Sequence, residues 1–401
     1  MKTPVQNLTK KTLRIGIDAR FYGPLGKGLG RYVQELVDNL IKINDERAGE
    51  FEYVIFLSKA NFDEFQSSSL FIKKKLVNLK WYSWEEQFFF PKIIKQEMID
   101  LMHFPHFNVP IFSQIPFVVT IHDLILTRFP SRRASILPAA LYWFKQLAYR
   151  LIIKTALLRA KKIITVSNFT KEDIVKQFKI KPKKILVTYE GVSKLEKITT
   201  SNKKVNNSIV LWQKYKVKKP FILYVGNAYP HKNLESLLFV TRKLINEHPD
   251  LKIVMVGKED YFYRRLKDRS REIKASLTDN NNLHIFPGFV PDEDLAIFYQ
   301  NALFYIFPSL YEGFGLPPLE AMSFSCPVLS SDQASLPEII GDAALFFNPY
   351  DESDLESKIK LMINDDKLRY DLSVLGQERV KLFNWLDCAE NTREVYQNIL
   401  L

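Results

Sequence analysis

The chain has 401 residues and a formal net charge of +12, and its length predicts two or three domains of about 150 residues each. Hydrophobic residues make up 46% of it and charged residues 25%, proportions that exclude a disordered or collagen-like chain. Its two cysteines, Cys326 and Cys388, exclude a disulfide scaffold and a four-cysteine zinc site. The first residues, MKTPVQNLTKK, lack the apolar core of a signal peptide, and no apolar run of about 18 residues predicts a membrane span.

Residues 1–195 alternate between apolar and amphipathic stretches, which predicts strands alternating with helices. Strands are expected at LRIGIDA, FEYVIFLS, LVNLKWYS (76–83), DLMHFPHF, FVVTIHDL, KIITVSNF and KILVTYEGV, with a helix at GRYVQELVDNLIKI after a glycine-rich loop. The strands are short and continuously apolar, as in parallel sheets that helices cover on both faces. This segment is therefore predicted to form one Rossmann-like domain.

A second series of the same kind follows a polar segment. Residues 196–218 are rich in Asn, Ser and Lys and are predicted to link two domains. The strands FILYVGN, LKIVMVGK, LHIFPGFV, ALFYIFPS, PVLSS and ALFFN then predict a second Rossmann-like domain at 219–380. Residues 381–401 predict a helix, for which packing on the N-terminal domain is one available position. The predicted fold class is α/β, with two doubly wound domains facing a cleft where ligands bind.

The positive charge is concentrated in the first half of the chain. Residues 1–210 carry 35 basic and 18 acidic side chains, whereas residues 211–401 carry 22 and 27. Such asymmetry predicts that the first half meets a polyanion, such as nucleic acid, an anionic membrane or a phosphorylated substrate.

The densest positive segment lies between residues 124 and 171, which hold ten basic side chains and no acidic one. Within it, LPAALYWFKQLAYRLIIKTALLRA predicts a basic amphipathic helix with aromatic residues, which suits an anionic membrane surface. Its apolar positions at helical spacing are Leu137, Leu141, Phe144, Leu147, Leu151 and Leu158, and its basic candidates for acceptor or membrane contact are Arg150, Lys154 and Arg159. The alternative is a helix whose apolar face packs on the domain core, with the basic side chains at its edges.

The most specific motif is YEGFGLPPLEAM, which follows the predicted strand ALFYIFPS. Gly313 and Gly315 let the backbone approach a ligand closely. The Pro-Pro pair predicts a helix start with Glu320 in the first turn, so that free N–H groups and the positive helix end form an anion site. A diphosphate fits that site, and the carboxylates of Glu312 and Glu320 can bind hydroxyl groups on either side of it.

This motif resembles that of family 4 of the retaining glycosyltransferases, which have the two-domain GT-B fold. The resemblance extends over nearly the whole chain, from GIDAR to the last helix. It implies that Glu312 touches the transferred sugar and that Glu320 binds the nucleotide ribose. It also implies that backbone groups hold sugar or phosphate oxygens and that the backbone near Val290 meets the nucleotide base. The backbone groups belong to Gly313, Phe314, Gly315 and Leu316.

A second motif, YVGNAYPHKNLESLL, places Lys232 at the start of a helix. An ammonium group there would neutralise a departing diphosphate, whereas the alternative is a lysine on an exposed helix end. The resemblance favours the first role and implies that Gly226 and Asn227 lie beside the donor. Many relatives have Arg at the position of Asn227, and some have Arg at that of His231. The sequence therefore does not decide whether these two side chains bind phosphate.

Two segments of the N-terminal half complete the predicted site. GKGLG contributes Gly28 and Gly30 but does not match the full dinucleotide fingerprint. By resemblance, these glycines face the donor phosphates and Arg31 faces the acceptor. FVVTIHDL ends in His122 and Asp123, and a lone histidine at a strand end is often structural. The resemblance implies instead that the ring or backbone of His122 binds a hydroxyl group of the reacting sugar, with Asp123 beside it.

No metal site is predicted. His103 and His106 in HFPHFN have no accompanying carboxylate or cysteine, so a loop lining the cleft is the better interpretation. The acidic run 292–294 is similar to the acidic pair of metal-dependent glycosyltransferases. It begins a predicted helix, however, where the helix dipole favours acidic side chains.

The sequence therefore predicts a retaining, metal-independent hexosyltransferase that needs no cofactor and uses a nucleotide sugar as donor. By resemblance, the donor is GDP-mannose and the acceptor is a glycan or lipid-linked molecule of cell-surface polysaccharide or glycolipid synthesis, with UDP-glucose or UDP-GlcNAc as alternative donors. The positive half predicts a cytoplasmic enzyme, peripheral on the inner face of the cell membrane. Competing classes are an epimerase or phosphorylase of the same fold, against which the Glu-x7-Glu spacing argues, and a basic nucleic-acid-binding protein, for which no nucleic-acid module is recognisable.

Overall fold

The computed structural model describes residues 12–129, 139–192, 207–244, 247–275 and 283–400. Within these residues the strands form two sheets, one of seven strands in the N-terminal half and one of six in the C-terminal half. The neighbouring strands run parallel in both sheets. The prediction of an α/β fold with two doubly wound domains is therefore confirmed.

The N-terminal sheet has the strand order β3-β2-β1-β4-β5-β6-β7. Its elements, in chain order, are β1 (Leu13–Asp18), α1 (Lys27–Glu46), β2 (Phe51–Leu57), β3 (Ile72–Leu76), α2 (Trp84–Gln96), β4 (Leu101–Phe104), β5 (Phe117–Ile121), α3 (Ile125–Arg128), α4 (Ala139–Arg159), β6 (Lys162–Thr165), α5 (Asn168–Phe178) and β7 (Ile185–Val187).

The C-terminal sheet has the strand order β10-β9-β8-β11-β12-β13. Its elements are α6 (Asn207–Tyr215), β8 (Phe221–Val225), α7 (Leu234–Leu244), β9 (Lys252–Val256), α8 (Tyr261–Ala275), β10 (His284–Gly288), α9 (Asp292–Asn301), β11 (Phe304–Phe307), α10 (Leu316–Ser323), β12 (Val328–Ser331), α11 (Leu336–Ile340), β13 (Leu345–Phe347), α12 (Glu352–Asn364) and α13 (Asp366–Val380). The last helix, α14 (Trp385–Leu400), follows α13.

The central strands are buried on both faces, as their continuous apolar sequences require. Every residue of β5 (FVVTI) and of β11 (FYIF) is buried. In each sheet the strand order reverses next to the first strand, between β1 and β4 and between β8 and β11. In open α/β sheets ligands bind outside the carboxyl ends of the strands at such a reversal, which locates the candidate site of both domains.

The third strand is not where the sequence predicted it. Instead of LVNLKWYS (76–83), the strand is β3, with the sequence IKKKL. It pairs on one side only, with β2, so it is an edge strand whose lysines can reach water. The apolar residues that follow it form a loop in which the Trp81 ring stacks on Phe21 at 3.7 Å.

The segment predicted as a linker is partly helical. Residues 193–206 lie outside the described residues, but α6 covers nine residues of the segment. Leu211 is buried, and both Lys214 and Tyr215 contact Asp294 at the start of α9. These contacts attach α6 to the C-terminal domain.

The last helix returns to the N-terminal domain and packs along α1. The Tyr396 hydroxyl lies 2.6 Å from Nδ1 of His103, and Arg393 forms an ion pair with Glu50 at 2.8 Å. The chain therefore passes between the domains twice, and the two passes touch where the Val192 N–H donates to the Phe383 carbonyl at 3.2 Å.

Helix α4 packs on the core through a face other than the predicted apolar stripe. Tyr149, Ile153 and Leu157 are buried, whereas the stripe faces outward. Of the stripe, Phe144, Leu147, Leu151 and Leu158 are each more than half exposed, while Leu137 and the side chain of Leu141 lie outside what the structure describes. The alternative of a core-facing stripe is therefore wrong for these four residues. None of the described helices has the length and apolar character to cross a membrane.

Candidate active site

A cavity of about 1010 Å³ opens between the carboxyl ends of the two sheets. Both domains line it, as the fold predicts for a two-domain cleft. From the N-terminal domain the lining includes Gly28, Arg31, His106, His122, Asp123 and Glu190, and from the C-terminal domain Phe289, Asp292, Glu293, Glu312, Gly313, Phe314, Gly315, Leu316 and Glu320. The predicted residues Gly30, Gly226, Asn227, His231, Lys232 and Val290 are not among the described residues that line it.

The YEGFGLPPLEAM motif forms the turn from β11 into α10. Gly315 precedes the helix with φ = 116°, a conformation that favours glycine, and the prolines fall in the first turn as predicted. Glu320 is the fifth residue of α10, so its prediction in the first turn is wrong. The helix begins at Leu316, one residue before the Pro-Pro pair, so Glu320 lies just beyond the end of the first turn.

Gly313 is fixed by contact with the opposite domain. A β-carbon at this position would lie 1.9 Å from the backbone oxygen of His122. The Gly313 carbonyl also accepts a hydrogen bond of 2.6 Å from the Ser167 hydroxyl at the start of α5. The motif loop therefore meets the N-terminal domain directly, and the sequence prediction of close ligand approach missed this second reason for glycine.

Lys232 is a buried residue at the end of the turn after β8. Its ammonium group lies 2.5 Å from Oε1 of Glu312, and the Ser309 hydroxyl donates to the same oxygen at 2.5 Å. The alternative of a lysine on an exposed helix end is wrong, because only 9% of Lys232 is accessible. The pair places a positive and a negative group at the wall of the cavity, and Lys232 reaches that wall through Glu312.

The neighbouring residues of the Lys232 motif serve the backbone of the turn. The Asn227 carbonyl accepts from the Tyr224 hydroxyl at 2.7 Å, and its side chain accepts from the Tyr229 N–H. Gly226 donates its N–H to the Val256 carbonyl. Burial, reinforced by the charge of Lys232, lowers the pKa of His231 to about 4. The His231 ring is therefore neutral at neutral pH and brings no positive charge to a phosphate.

Glu320 is paired across the cleft. The Arg31 guanidinium donates to Glu320 and, at 3.0 Å, to Asp292 in the first turn of α9. Burial raises the pKa of the Glu320 carboxyl, against the opposing effect of Arg31. Arg31 was predicted to face the acceptor, but its contacts are with the side of the cleft where the donor was predicted.

Both ring nitrogens of His122 are occupied by protein groups. Nδ1 lies 3.0 Å from the Glu190 carboxylate, and Nε2 lies 3.0 Å from the Pro105 carbonyl. Burial disfavours the charged ring, but the hydrogen bond and charge of Glu190 outweigh it and raise the pKa of His122. Two acceptors require a proton on each nitrogen, which is the charged imidazolium. Neither ring nitrogen is therefore free to bind a sugar hydroxyl in this arrangement, and the contact predicted for His122 stays a prediction.

The backbone oxygen of His122 accepts from the Thr170 hydroxyl at 3.2 Å. The neighbouring Asp123 lines the cavity and accepts the Ile125 N–H at 2.9 Å. Burial raises the pKa of the Asp123 carboxyl.

Glu190 and Phe289 are among the cavity residues that were not predicted from the sequence. Glu190 ends the segment KILVTYE, where a single acidic residue after a strand carries no distinctive spacing. Phe289 precedes the buried Val290 and is 72% exposed at the cavity, so the predicted base-binding segment presents a ring as well as its backbone. The aromatic residue in FPGFVP was the available signal for it.

Gly28 and Gly30 of GKGLG lie in α1, which begins at Lys27, and not in the loop before it. A β-carbon on Gly28 would meet no atom within 4 Å, in keeping with its position at the cavity. A β-carbon on Gly30 would lie 2.1 Å from the Gly23 carbonyl oxygen. Gly30 is therefore needed for backbone packing.

The three basic candidates on α4 lie outside the cavity. Arg150 and Lys154 are exposed, and no ion pair of either is found in the described part of the chain. Arg159 donates to the carbonyls of Ile111 and Ser113, so its guanidinium holds the neighbouring loop.

His103 and His106 are separated by their contacts. His103 is buried between Tyr396 and Thr120, whereas His106 lines the cavity. Burial lowers the pKa of each to about 3. Across the described residues, no group of three or more His, Cys, Asp or Glu side chains is arranged to hold a metal ion.

Comparison with known proteins assigns both halves of the chain to families. Residues 26–194 match the family "Glycosyltransferase Family 4", and residues 212–379 match the family "Glycosyl transferases group 1". The boundary between the two matches falls in the segment that joins the two sheets.

The chain is similar over 385 residues to the O-antigen chain mannosyltransferase RfbU of Salmonella typhimurium, with 27% identity and coverage of 91% of this chain and 97% of that protein. It is 32% identical over 247 residues to the O-antigen chain mannosyltransferase B of Escherichia coli, covering 59% of this chain and 61% of that protein, which is less than two thirds of its length. Among solved structures, the sucrose-phosphate synthase of Thermosynechococcus elongatus matches with a TM-score of 0.73 and 21% identity, over 96% of this chain and 99% of that one, which supports the fold. The chain therefore belongs to the glycosyltransferases, as a GT-B protein in which a family 4 domain precedes a group 1 domain.

Proposed function

We propose that this glycosyltransferase transfers mannose from GDP-mannose, with retention of configuration and without a metal ion, to a glycan or lipid-linked acceptor of cell-surface polysaccharide synthesis. The observation that carries the proposal is the buried Lys232–Glu312 pair at the wall of a two-domain cavity that Glu320 also lines. The names of the Salmonella and E. coli relatives support mannose as the sugar.

In this reaction Lys232 and the N–H groups at the start of α10 neutralise the diphosphate as it leaves. The bond between the anomeric carbon and the diphosphate oxygen breaks, and the acceptor hydroxyl forms the new bond from the same face. The hydroxyl proton passes to the departing diphosphate, so the charges balance without a separate base. Glu312, held by Lys232 and Ser309, binds hydroxyl groups of the mannose, and Glu320 binds the ribose.

The experiment offers the enzyme radiolabelled GDP-mannose, UDP-glucose and UDP-GlcNAc, and measures transfer or slow hydrolysis together with the melting temperature. We expect turnover and thermal stabilisation with GDP-mannose, and no stabilisation of Glu320→Ala. Glu235→Ala, an exposed carboxylate on α7, is the matched control and should behave as wild type. Turnover of a UDP-sugar alone would replace the donor, and no response to any nucleotide sugar would contradict the proposal.

We further propose that the enzyme works at the inner face of an anionic membrane, through the exposed face of α4. On this face, apolar side chains that are more than half exposed lie beside basic side chains. The segment contains no acidic side chain. The apolar members are Trp143, Phe144, Leu147, Leu151 and Leu158, and the basic members are Lys145, Arg150 and Lys154. Apolar insertion and attraction to anionic lipid then act at one surface.

Flotation with phosphatidylcholine vesicles, with and without phosphatidylglycerol, tests this surface. We expect binding only to the anionic vesicles and a clear loss in Arg150→Gln/Lys154→Gln and in Leu147→Ser/Leu151→Ser. A variant with the same change of net charge on the other domain, Lys358→Gln/Lys367→Gln, should keep the wild-type binding. Equal binding by all variants would show that α4 is not the docking face.

A further inference from the structure

A second cavity, of about 550 Å³, lies in the C-terminal domain away from the cleft. We call it the basic pocket, and its lining residues used below are Trp212, Lys216, Lys218, Lys252, Lys267 and Arg271. Lys252 is the first residue of β9, and Lys218 comes shortly before β8, so the pocket lies at the amino ends of these strands. The cleft lies at their carboxyl ends, roughly 16 Å away along a five-residue strand.

The pocket brings together basic side chains from segments that are distant in the chain. Lys216 and Lys218 follow α6, Lys252 begins β9, and Lys267 and Arg271 belong to α8. Residues 211–401 as a whole have five more acidic than basic side chains, so this concentration is not a result of general positive charge. Like charges held in one concave surface repel each other, and that repulsion is relieved when an anion binds between them.

Three of these lysines have no carboxylate partner within the described residues. Lys267 pairs with Glu259 and Arg271 with Asp268. Lys252 donates to the Pro249 carbonyl, and the ammonium groups of Lys216 and Lys218 lie over the Trp212 ring, at 5.5 and 4.4 Å. Arg271 lies near the negative end of α8, but the dipole of that helix does not explain lysines that come from two other segments.

We propose that the basic pocket is a second anion site, which binds a ligand carrying two or more phosphate charges. Lysine ammonium groups bind phosphate as point charges, and unpaired lysines give up no internal ion pair when they do so. The cavity volume exceeds that of one phosphate group and has room for a diphosphate or a phosphorylated sugar. The same chemistry is offered by a free phosphorylated compound and by a phospholipid headgroup.

The test uses the fluorescence of Trp212, which is 46% exposed and lies against Lys216 and Lys218. Inorganic diphosphate is titrated into wild type, Trp212→Phe and the triple variant Lys216→Gln/Lys218→Gln/Lys252→Gln. An anion that draws the ammonium groups from the ring changes the emission of Trp212, whereas binding in the cleft does not. We expect a saturable change in wild type that Trp212→Phe abolishes.

For the triple variant we expect the dissociation constant to rise roughly tenfold or more, because three charge-assisted contacts are lost. The matched control, Lys358→Gln/Lys367→Gln/Lys381→Gln, has the same net charge in the same domain and should bind within about twofold of wild type. If the triple variant melts at a lower temperature than wild type, Lys218→Gln alone replaces it, with a rise of about threefold expected. Equal affinity in the pocket and control variants would overturn the proposal.

The two sources of phosphate are separated by competition. Vesicles of phosphatidylcholine with phosphatidylglycerol are added to the diphosphate complex. Displacement that depends on the three pocket lysines identifies a lipid headgroup as a ligand, and its absence assigns the pocket to free phosphorylated compounds. Neither result depends on sugar transfer, so the basic pocket and the proposed function can fail separately.

Discussion

Two pairs of opposite charge in the cleft differ in how they are held. Lys232 and Glu312 both belong to the C-terminal domain and are almost fully buried, and the Ser309 hydroxyl donates to the Glu312 oxygen that Lys232 contacts. Arg31 and Glu320 belong to different domains, and the Arg31 side chain is 31% exposed. The first pair exists in the C-terminal domain alone, whereas the second forms only when the domains meet.

The Lys232–Glu312 pair is therefore already formed within one domain, whereas the Arg31–Glu320 pair assembles from two domains. A buried pair keeps its geometry because breaking it leaves an uncompensated charge in the interior. A pair that water and salt can reach exchanges partners at little cost. In the proposed reaction Glu320 must release Arg31 to take the ribose, which the weaker pair permits.

The largest effect is expected from Lys232→Ala. Loss of the group that neutralises the leaving diphosphate should lower kcat by roughly 10²–10³-fold. The unpaired Glu312 carboxylate should also lower stability by about 3 kcal/mol. Steady-state transfer and urea unfolding measure the two effects. The double variant Lys232→Ala/Glu312→Gln should recover stability but not activity, and wild-type kcat in Lys232→Ala would contradict a role of Lys232 in the reaction.

A smaller effect is expected from Glu190→Gln, which removes the charge of a pair held within the N-terminal domain. His122 and Glu190 are 19% and 6% exposed, and losing their charged hydrogen bond should lower stability by roughly 2 kcal/mol. The pKa of His122 is raised in the folded state, so this stabilisation is fully present below the unfolded pKa of about 6.5. It is lost as the pH rises through the folded pKa.

Urea unfolding of wild type and Glu190→Gln across this pH range measures the difference. The gap between the two proteins should be widest in mild acid and should narrow as the pH rises. Glu172→Gln, at an exposed position on α5, is the control for loss of one carboxylate. A gap that does not change with pH would contradict a charged His122.

The smallest effect is expected from Arg31→Gln. The Arg31 side chain is 31% exposed although Glu320 is only 13% exposed, so removal of the pair should change stability by about 1 kcal/mol, less than in Lys232→Ala. A double-mutant cycle with Glu320→Ala should give a coupling free energy of similar size, and high salt should reduce it. A loss as large as that of Lys232→Ala would mean that the two pairs do not differ in the way described.

The sequence predicted what is encoded locally. Lys232, Glu312 and Glu320 were found because each has a fixed place after a strand in a short motif, and the alternation of strands and helices predicted the fold. The edge strand β3 was missed because IKKKL reads as a polar segment unless its position in the sheet is known.

Contacts between distant residues left no such signal. Glu190 and His122 are 68 residues apart, and Arg31 and Glu320 are 289 apart. Whether an acidic residue caps a helix, pairs with a histidine or crosses a cleft depends on which segments the fold brings together. The contact of Gly313 with the His122 carbonyl likewise depends on how the domains meet. Such roles follow from tertiary structure and not from spacing.

The chain that leads into the last helix packs against the chain that leaves the N-terminal domain. The outgoing and returning chain touch at Val192 and Phe383, and a β-carbon on Gly191 would lie only 2.2 Å from the backbone nitrogen of Trp385. We expect the domains to swing about this crossing, so that displacement grows with distance from it. A substitution at Gly191 would then alter the angle between the domains without changing any side chain of the cavity.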